Sequence, residues 1–320
     1  MDLSIIIPMF NEGENIEPTL SQVETELVSF QGTYEIIAVN DGSLDNTLEN
    51  LEKVATRNGR LRIVSHAKNI GRGMALRSGF KEARGEIVVS IDADLSYDPC
   101  YILDLLKILR NEEDIDFVLA SPYMPGGGVQ GVPLLRLWVS RLGNKVLRFA
   151  MPNRIYTSTG IFRAYRKKVL DSLELESEGK EIHLEILSKA LALGYRVREI
   201  PAILTGRKKG KSKFKFKKTT VSHLVFSAFE KPMILFGFLG LLILGTGLLL
   251  GIYVAYLRYS GELTPGRPLI TFAILLILGG IQMLSFGFIA IQIVSLRREI
   301  LRIQKENLEL KKEIRNLDNE

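Results

Sequence analysis

A single cysteine, Cys100, is all the thiol chemistry this 320-residue chain contains. One cysteine excludes an intrachain disulfide and suits a reducing compartment. The start lacks the pattern of a secretory leader. Met1-Asp2-Leu3 passes straight into an apolar run, with no basic segment and no long apolar core before a cleavage site, so no signal peptide is expected. The most informative absence is charge. No Asp, Glu, Lys or Arg occurs from Met233 to Leu257, and none from Pro268 to Leu296. Each stretch exceeds the ~20 apolar residues needed to cross a bilayer. One such run could be the core helix of a soluble domain. Two in succession, separated only by Arg258 to Arg267, predict a transmembrane hairpin.

Charge is concentrated at the flanks of that hairpin. Nine Lys and Arg residues fall between Arg207 and Lys231, and Arg297, Arg298 and Arg302 follow the second run, whereas the connector holds only Arg258 and Arg267. Positive flanks stay inside, which predicts a cytoplasmic N-terminal domain and a cytoplasmic tail. The Lys run, interleaved with Phe214, Phe216, Phe226 and Phe229, also has the composition of a nucleic-acid patch. Beside a membrane span it predicts a surface on anionic lipid headgroups, and no nucleic-acid partner is expected.

The tail repeats Ile293, Leu296, Ile300, Ile303, Asn307, Leu310, Ile314 and Leu317 at alternating spacings of 3 and 4. That is a coiled-coil seam with Asn307 at an a position, leaning to a parallel pair and a homo-oligomer. A lone amphipathic helix is the plainer reading, but no soluble domain follows for it to pack on. The expected organisation is therefore a soluble domain over 1–212 and a basic amphipathic segment over 213–231. Spans at 232–257 and 268–294 flank an extracytoplasmic loop at 258–267, and a coiled-coil tail occupies 295–320.

The soluble part alternates strand and helix. Apolar runs predict strands at Leu3–Ile7, Tyr34–Val39, Leu61–Ser65, Ile87–Ile91 and Asp116–Ala120, with helices around 15–29, 45–57, 73–83 and 99–111. That rhythm implies right-handed βαβ units in a mainly parallel α/β sheet, whose ligands sit at the carboxyl ends of the strands. Four polar loops gather there: Pro8 to Glu12, Asn40 to Ser43, Lys68 to Gly71, and Asp92-Ala93-Asp94. Taken singly, each is turn or helix-cap chemistry, and Ser43 and Asp45 are candidate caps. Converging on one edge, they predict a nucleotide pocket. Asp92 and Asp94 can meet one hard divalent cation, Mg²⁺ or Mn²⁺, able to neutralise a departing diphosphate.

Read together, these loops resemble the family 2 glycosyltransferases of GT-A fold, within which the likeness is to dolichol-phosphate mannose synthase and the polyprenyl-phosphate glycosyltransferases. The residues that carry it are Ile5 to Glu12, Val39 to Thr47, Asn69 to Leu76, Asp92-Ala93-Asp94-Leu95, Phe162 to Arg166, Glu185-Ile186-Leu187, Gly194-Tyr195-Arg196, and Arg207 with Gly210 to Lys213. The resemblance covers about residues 2–215. It implies that Pro8, Asn11, Glu12 and Asp41 hold the base and ribose of a nucleotide sugar, with Lys68, Asn69 and Gly71 lining the same pocket. It implies that Asp92 and Asp94 carry the metal, and that Arg163, Arg207, Ser212 and Lys213 grip phosphates of the donor or of a polyprenyl-phosphate acceptor. Asp94 and Arg207 are the expected catalytic pair.

The chain departs from the pattern of that family at three places. Ser96 stands where Gln is usual, Ser121-Pro122-Tyr123 replaces Ser-Arg-Tyr, and Tyr156 to Arg163 lacks the usual Asp. Arg136, Arg141, Arg148 and Arg154 are candidate replacements for the cation missing at Pro122. A transferase that extends a glycan or glycolipid is a second reading. Processive synthases of this kind carry Gln-x-x-Arg-Trp, while the only Trp here, Trp138, has no such context. A catalytically weak scaffold is a third.

Overall fold

Leu3 to Ile7 and Tyr34 to Val39 are nearly continuous apolar runs, the pattern of strands covered on both faces. In the computed structural model, which describes residues 1–132, 140, 144, 155–206, 236–261 and 268–317, they become β1 (Leu3–Met9) and β2 (Tyr34–Asp41), parallel from Leu3 opposite Tyr34 to Met9 opposite Asn40. The remaining strands are β3 (Leu61–His66), β4 (Ile87–Ser90), β5 (Phe117–Ser121), β6 (Gly128–Gln130), β7 (Arg163–Arg166), β8 (Val197–Pro201) and β9 (Ile203–Thr205). Between them lie α1 (Ile16–Glu26), α2 (Thr47–Ala55), α3 (Arg72–Glu82), α4 (Tyr101–Asn111), α5 (Lys167–Asp171) and α6 (Ile182–Ala192).

One seven-stranded sheet runs in the order β3-β2-β1-β4-β7-β5-β8, and β6 pairs with β9 in a separate ribbon. Each strand expected from the sequence is present within two residues of its expected limits. Two members were not expected: β8, parallel to β5 at the edge, and β7, antiparallel to both β4 and β5. A four-residue strand inserted without a flanking helical crossover leaves no periodic trace for sequence reading to find.

The helices bury the stripes their spacing dictates. In α1 these are Ile16, Thr19, Leu20 and Val23, and in α4 Ile102, Leu105, Leu106 and Leu109, both at i, i+3, i+4 and i+7. Helix α3 comes closer to the sheet because it carries glycine at the contact. A Cβ on Gly79 would collide with Ile6 Cγ2.

A second unit, residues 224–303 by its contacts, contains α7 (Phe238–Tyr259) and the start of α8 (Pro268–Leu317). Phe238–Tyr259 and Pro268–Leu296 are both long and apolar enough to cross a membrane. They pack antiparallel through glycines. A Cβ on Gly247 would stand 2.8 Å from Ile277 N, and one on Gly280 2.6 Å from Leu244 N. Small residues of this kind let helix backbones approach closely where lipid gives no hydrophobic drive. Helix α7 continues to Tyr259, two residues past the expected end of the first span, and α8 passes without a break from the second span into the tail. The basic segment 213–231 and the tail side chains from Gln304 onward lie outside the described residues.

Between α5 and α6 the chain is held by a buried ion pair. Lys189 Nζ lies 2.7 Å from Glu185 Oε1, and the main-chain N–H groups of Glu176 and Ser177 each donate to Glu185 at 2.9 Å. The carbonyl of Glu178 in this segment in turn accepts from Gly73 N at 2.7 Å and Met74 N at 3.2 Å, capping the start of α3. Burial alone raises the Glu185 carboxyl, but the Lys189 ammonium and the two N–H donors outweigh it and hold it below the usual 4.5. A depressed folded value means that the stabilisation is complete above about pH 4.5 and lost as the pH falls through the folded value. Glu185→Gln leaves Lys189 buried without its counter-charge, so it should cost about 3–5 kcal/mol at neutral pH. Denaturation of the two proteins across pH should show that difference narrowing below pH 4.5. A gap that stays constant with pH would contradict this account of the pair.

Candidate functional site

Strand order reverses between β1 and β4. From β1 the chain winds through α1 to β2 and α2 to β3, then α3 returns it to β4 on the other side of β1. The loops after β1 and β4 therefore flank the crevice where open α/β sheets bind ligands. Asp92 and Asp94 lie in the second of these loops, and Pro8, Asn11 and Glu12 belong to the end of β1 and the first.

Side chains tie the four loops together. Asn11 N donates to Ser43 Oγ at 2.9 Å, and Leu44 N donates to Asn11 Oδ1 at 2.7 Å, joining the first loop to the second. Glu12 N donates to Thr47 Oγ1 at 2.8 Å, while Asn15 Nδ2 donates to Glu12 Oε2 at 2.7 Å. Asp45 caps α2 by accepting from Thr47 N at 3.0 Å. Ser43, the other expected cap, is spent on Asn11 instead. Burial pushes the Asp45 carboxyl up, and hydrogen bonds from Thr47 and Gly13 pull it further down, to a net value below the usual range.

The third loop hangs on Asp41. Its Oδ1 accepts from Ile70 N at 3.1 Å and lies 2.9 Å from His66 Nδ1, and its Oδ2 accepts from Gly71 N at 2.8 Å. His66 Nε2 is 2.9 Å from Ser78 Oγ, which extends the chain of bonds into α3. Gly42, at φ +63°, brings the second loop so near the third that a Cβ would strike the main chain of Lys68 and Asn69. The side chains of Lys68 and Asn69 remain exposed.

The fourth loop is bound to both sides. Ala93 O accepts from Thr19 Oγ1 at 2.7 Å, and Ser96 O accepts from Thr205 N at 2.8 Å, which draws β9 beside the Asp pair. Ser96 N donates to Asp94 Oδ1 at 3.1 Å. Asn11 (φ 52°) and Leu95 (φ 51°) are the two non-glycine residues with positive φ among the described residues, and they occupy the two crevice loops. Strained backbone of this kind concentrates at functional sites.

Two residues not anticipated from the sequence enter the site. Arg72, at the first position of α3, places Nη2 3.0 Å from Asp92 Oδ1. His66 orders Asp41, its neighbour in the parallel register of β2 and β3. Pairing register would have brought His66 beside Asp41, whereas the Arg72–Asp92 contact joins elements that no short-range pattern relates.

Arg163 requires a correction. It was expected to grip a phosphate, but it is fully buried and donates to the carbonyls of Gly160, Ser158 and His183 at 2.6, 2.6 and 2.9 Å. Its charge staples the segment before β7 to α6, and its donors are consumed by the main chain. Arg207, Ser212 and Lys213 lie outside the described residues, as do Arg136, Arg141, Arg148, Arg154 and Trp138.

Among the described residues no three His, Cys, Asp or Glu side chains gather into a metal cage. Asp92 and Asp94 supply carboxylate oxygens only, the hard donors that suit Mg²⁺ or Mn²⁺ when waters and substrate phosphates complete the shell. The donor set fits such an ion.

A sheet wound in both directions from its centre makes this a doubly wound α/β protein, with two carboxylates at the reversal. Residues 4–174 match Glycosyl transferase family 2, and the chain belongs to that family. It is a glycosyltransferase of GT-A fold. A dolichol-phosphate mannosyltransferase of Pyrococcus furiosus is 35% identical over 219 residues, 68% of this chain and 60% of that protein. An uncharacterised glycosyltransferase of Synechocystis is 31% identical over 295 residues, 90% of this chain and 89% of the relative. The fold matches glucosyl-3-phosphoglycerate synthase from Mycobacterium tuberculosis, solved with Mn²⁺, UDP-glucose and phosphoglyceric acid, at a TM-score of 0.54 and 20% identity over 71% of this chain and 79% of that one.

Asp41→Ala should free the third loop. Removing the acceptor of two main-chain N–H groups costs about 1–3 kcal/mol. Hydrogen exchange at Ile70 and Gly71 is expected to accelerate roughly 5- to 150-fold by that same measure. Exchange unchanged at these two amides would show that the loop is held by other contacts.

Proposed function

We propose that this protein is a membrane-bound inverting glycosyltransferase that moves a hexose from a nucleotide sugar to a polyprenyl phosphate. The observation that carries the reading is the succession of a family 2 domain by two helices long and apolar enough to span a bilayer. An acceptor anchored in lipid explains why a sugar-nucleotide enzyme is tethered there. The 35% identical relative named a dolichol-phosphate mannosyltransferase supports the same acceptor class. In this reading the catalytic domain and the tail are cytoplasmic, and the Lys/Phe segment rests on anionic headgroups.

The proposed chemistry asks little of a general base. The phosphate oxygen of the acceptor is already anionic near neutral pH, and attack on the anomeric carbon opposite the leaving diphosphate inverts that centre. Positioning and charge stabilisation supply the catalysis. Pro8, Asn11, Glu12, Asp41, Lys68, Asn69 and Gly71 form the nucleoside side of the crevice. Asp92 and Asp94 hold Mg²⁺ or Mn²⁺, which when bound supplies positive charge to the diphosphate. Arg72 orients Asp92 through their ion pair, and Arg207, Ser212 and Lys213 are the proposed phosphate ligands.

Membranes containing the protein, given Mg²⁺ or Mn²⁺, polyprenyl phosphate and a panel of labelled nucleotide sugars, should yield a labelled lipid extractable into organic solvent. Asp94→Ala should lower that yield roughly 100-fold or more, the scale of losing a main electrostatic stabiliser. No transfer from any donor, or full activity in Asp94→Ala, would refute the reading. Label appearing in a preformed glycolipid instead would favour an enzyme that extends glycans.

A further inference from the structure

Two different faces of α8 repeat every seventh residue. Ala273, Gly280 and Gly287 are buried, and the two glycines meet Leu244 of α7 and Phe236 just before its start. Ile293 and Leu296, which open the seam of the tail, lie on a different, exposed face. Counted back by sevens from Ile293 and Leu296, its two rows reach Phe272 and Leu275 near the start of the helix, and counted forward they reach Ile314 and Leu317. The repeat is thus unbroken through both the candidate span and the tail of one continuous helix. Its eight apolar members up to Ile303 are 49–61% exposed.

Exposure by itself selects nothing, since Leu278 and Phe288 on other faces are as open and lipid can cover them. Two features of the seam are ones that lipid cannot satisfy. Gln282 lies midway along Pro268–Leu296, and among the described residues its amide makes no hydrogen bond. Ser285 nearby does, donating to Ile281 O at 3.0 Å. Hydrocarbon offers an exposed amide no partner, whereas a neighbouring helix does. Beyond the end of the span, Ile300 and Ile303 remain exposed on the same seam, where water rather than lipid surrounds them.

One partner has to offer an amide at the depth of Gln282 and apolar cover beyond the membrane, at a period of 3.5 residues. A second α8 running in the same direction meets all three demands. Two copies inserted alike are parallel by necessity, and Gly279 beside Gln282 has open space around it. In the tail, Glu306 precedes Asn307 and Lys311 follows Leu310, the flanking positions that pair opposite charges across a parallel coiled coil. We infer that α8 is a continuous self-association helix, joining two copies of this chain along one seam from the bilayer into the tail, with Gln282 and Asn307 as its polar register marks. The inference rests on the membrane reading of α7 and α8.

The test uses the full chain in its membranes, in a Cys100→Ser background. Single cysteines placed on the seam (Ile289→Cys, Ile293→Cys, Leu296→Cys, Ile300→Cys) should form disulfide-linked dimers on mild oxidation. Those placed off it (Ile281→Cys, Phe288→Cys, Ser295→Cys) should not. Gln282→Leu should raise the apparent dissociation constant of the dimer in detergent about 3- to 10-fold, the measured range for polar contacts between membrane helices. Equal yields on and off the seam, or crosslinking at the seam to a different protein, would overturn the proposal. Release of the chain by alkaline carbonate without detergent would instead overturn the membrane reading on which it stands.

Discussion

Asp41 holds the carboxyl edge of the sheet together. Parallel strands end in main-chain groups that the ladder no longer pairs, and in a crevice those groups need acceptors that do not block it. The Asp41 carboxylate accepts from Ile70 and Gly71 and meets His66, and His66 reaches Ser78 in α3. The third loop, the start of α3 and hence Arg72 are set by these bonds. Arg72 then reaches Asp92. A carboxylate at the end of β2 is thereby linked, through one helix, to the carboxylate pair beyond β4.

The opposite side of α3 is secured just as firmly. The Glu178 carbonyl takes the first N–H groups of the helix, and its segment is fixed by Glu185 and Lys189. A helix N-terminus commonly awaits an anion, but here the main chain already fills that role. In the proposed reading, phosphate recognition therefore falls to side chains and to a metal that Asp92 and Asp94 would hold. The strained Asn11 and Leu95 are tolerated because each lies in a loop tied on both sides. Such over-determination fixes the two crevice loops in the absence of any ligand.

Much of this was legible in the chain. Apolar runs with βαβ spacing marked the first five strands, and the four polar strand ends marked the crevice. Arg163 was misread because its type suggested an anion and nothing local revealed its burial. Three carbonyls from separate points of the chain claim its donors, and only folding brings them to it. The antiparallel β7 escaped notice for a related reason, since strand direction depends on connections that leave no periodic mark.

Local chemistry accounts for the rest of what could be read. Period 2 and period 3.6 place strands and helices, uncharged length marks the spans, and a seven-residue repeat draws the seam along α8, because each is a property of neighbours in the chain. Which carboxylate serves a ligand and which serves the fold is a question of distance between segments far apart in sequence. Asp45 and Glu185 became structural through donors from other segments, Asp41 took on the third loop besides its place in the crevice, and Asp92 acquired Arg72, because hydrogen bonds and ion pairs act over about 3 Å of space whatever the separation along the chain.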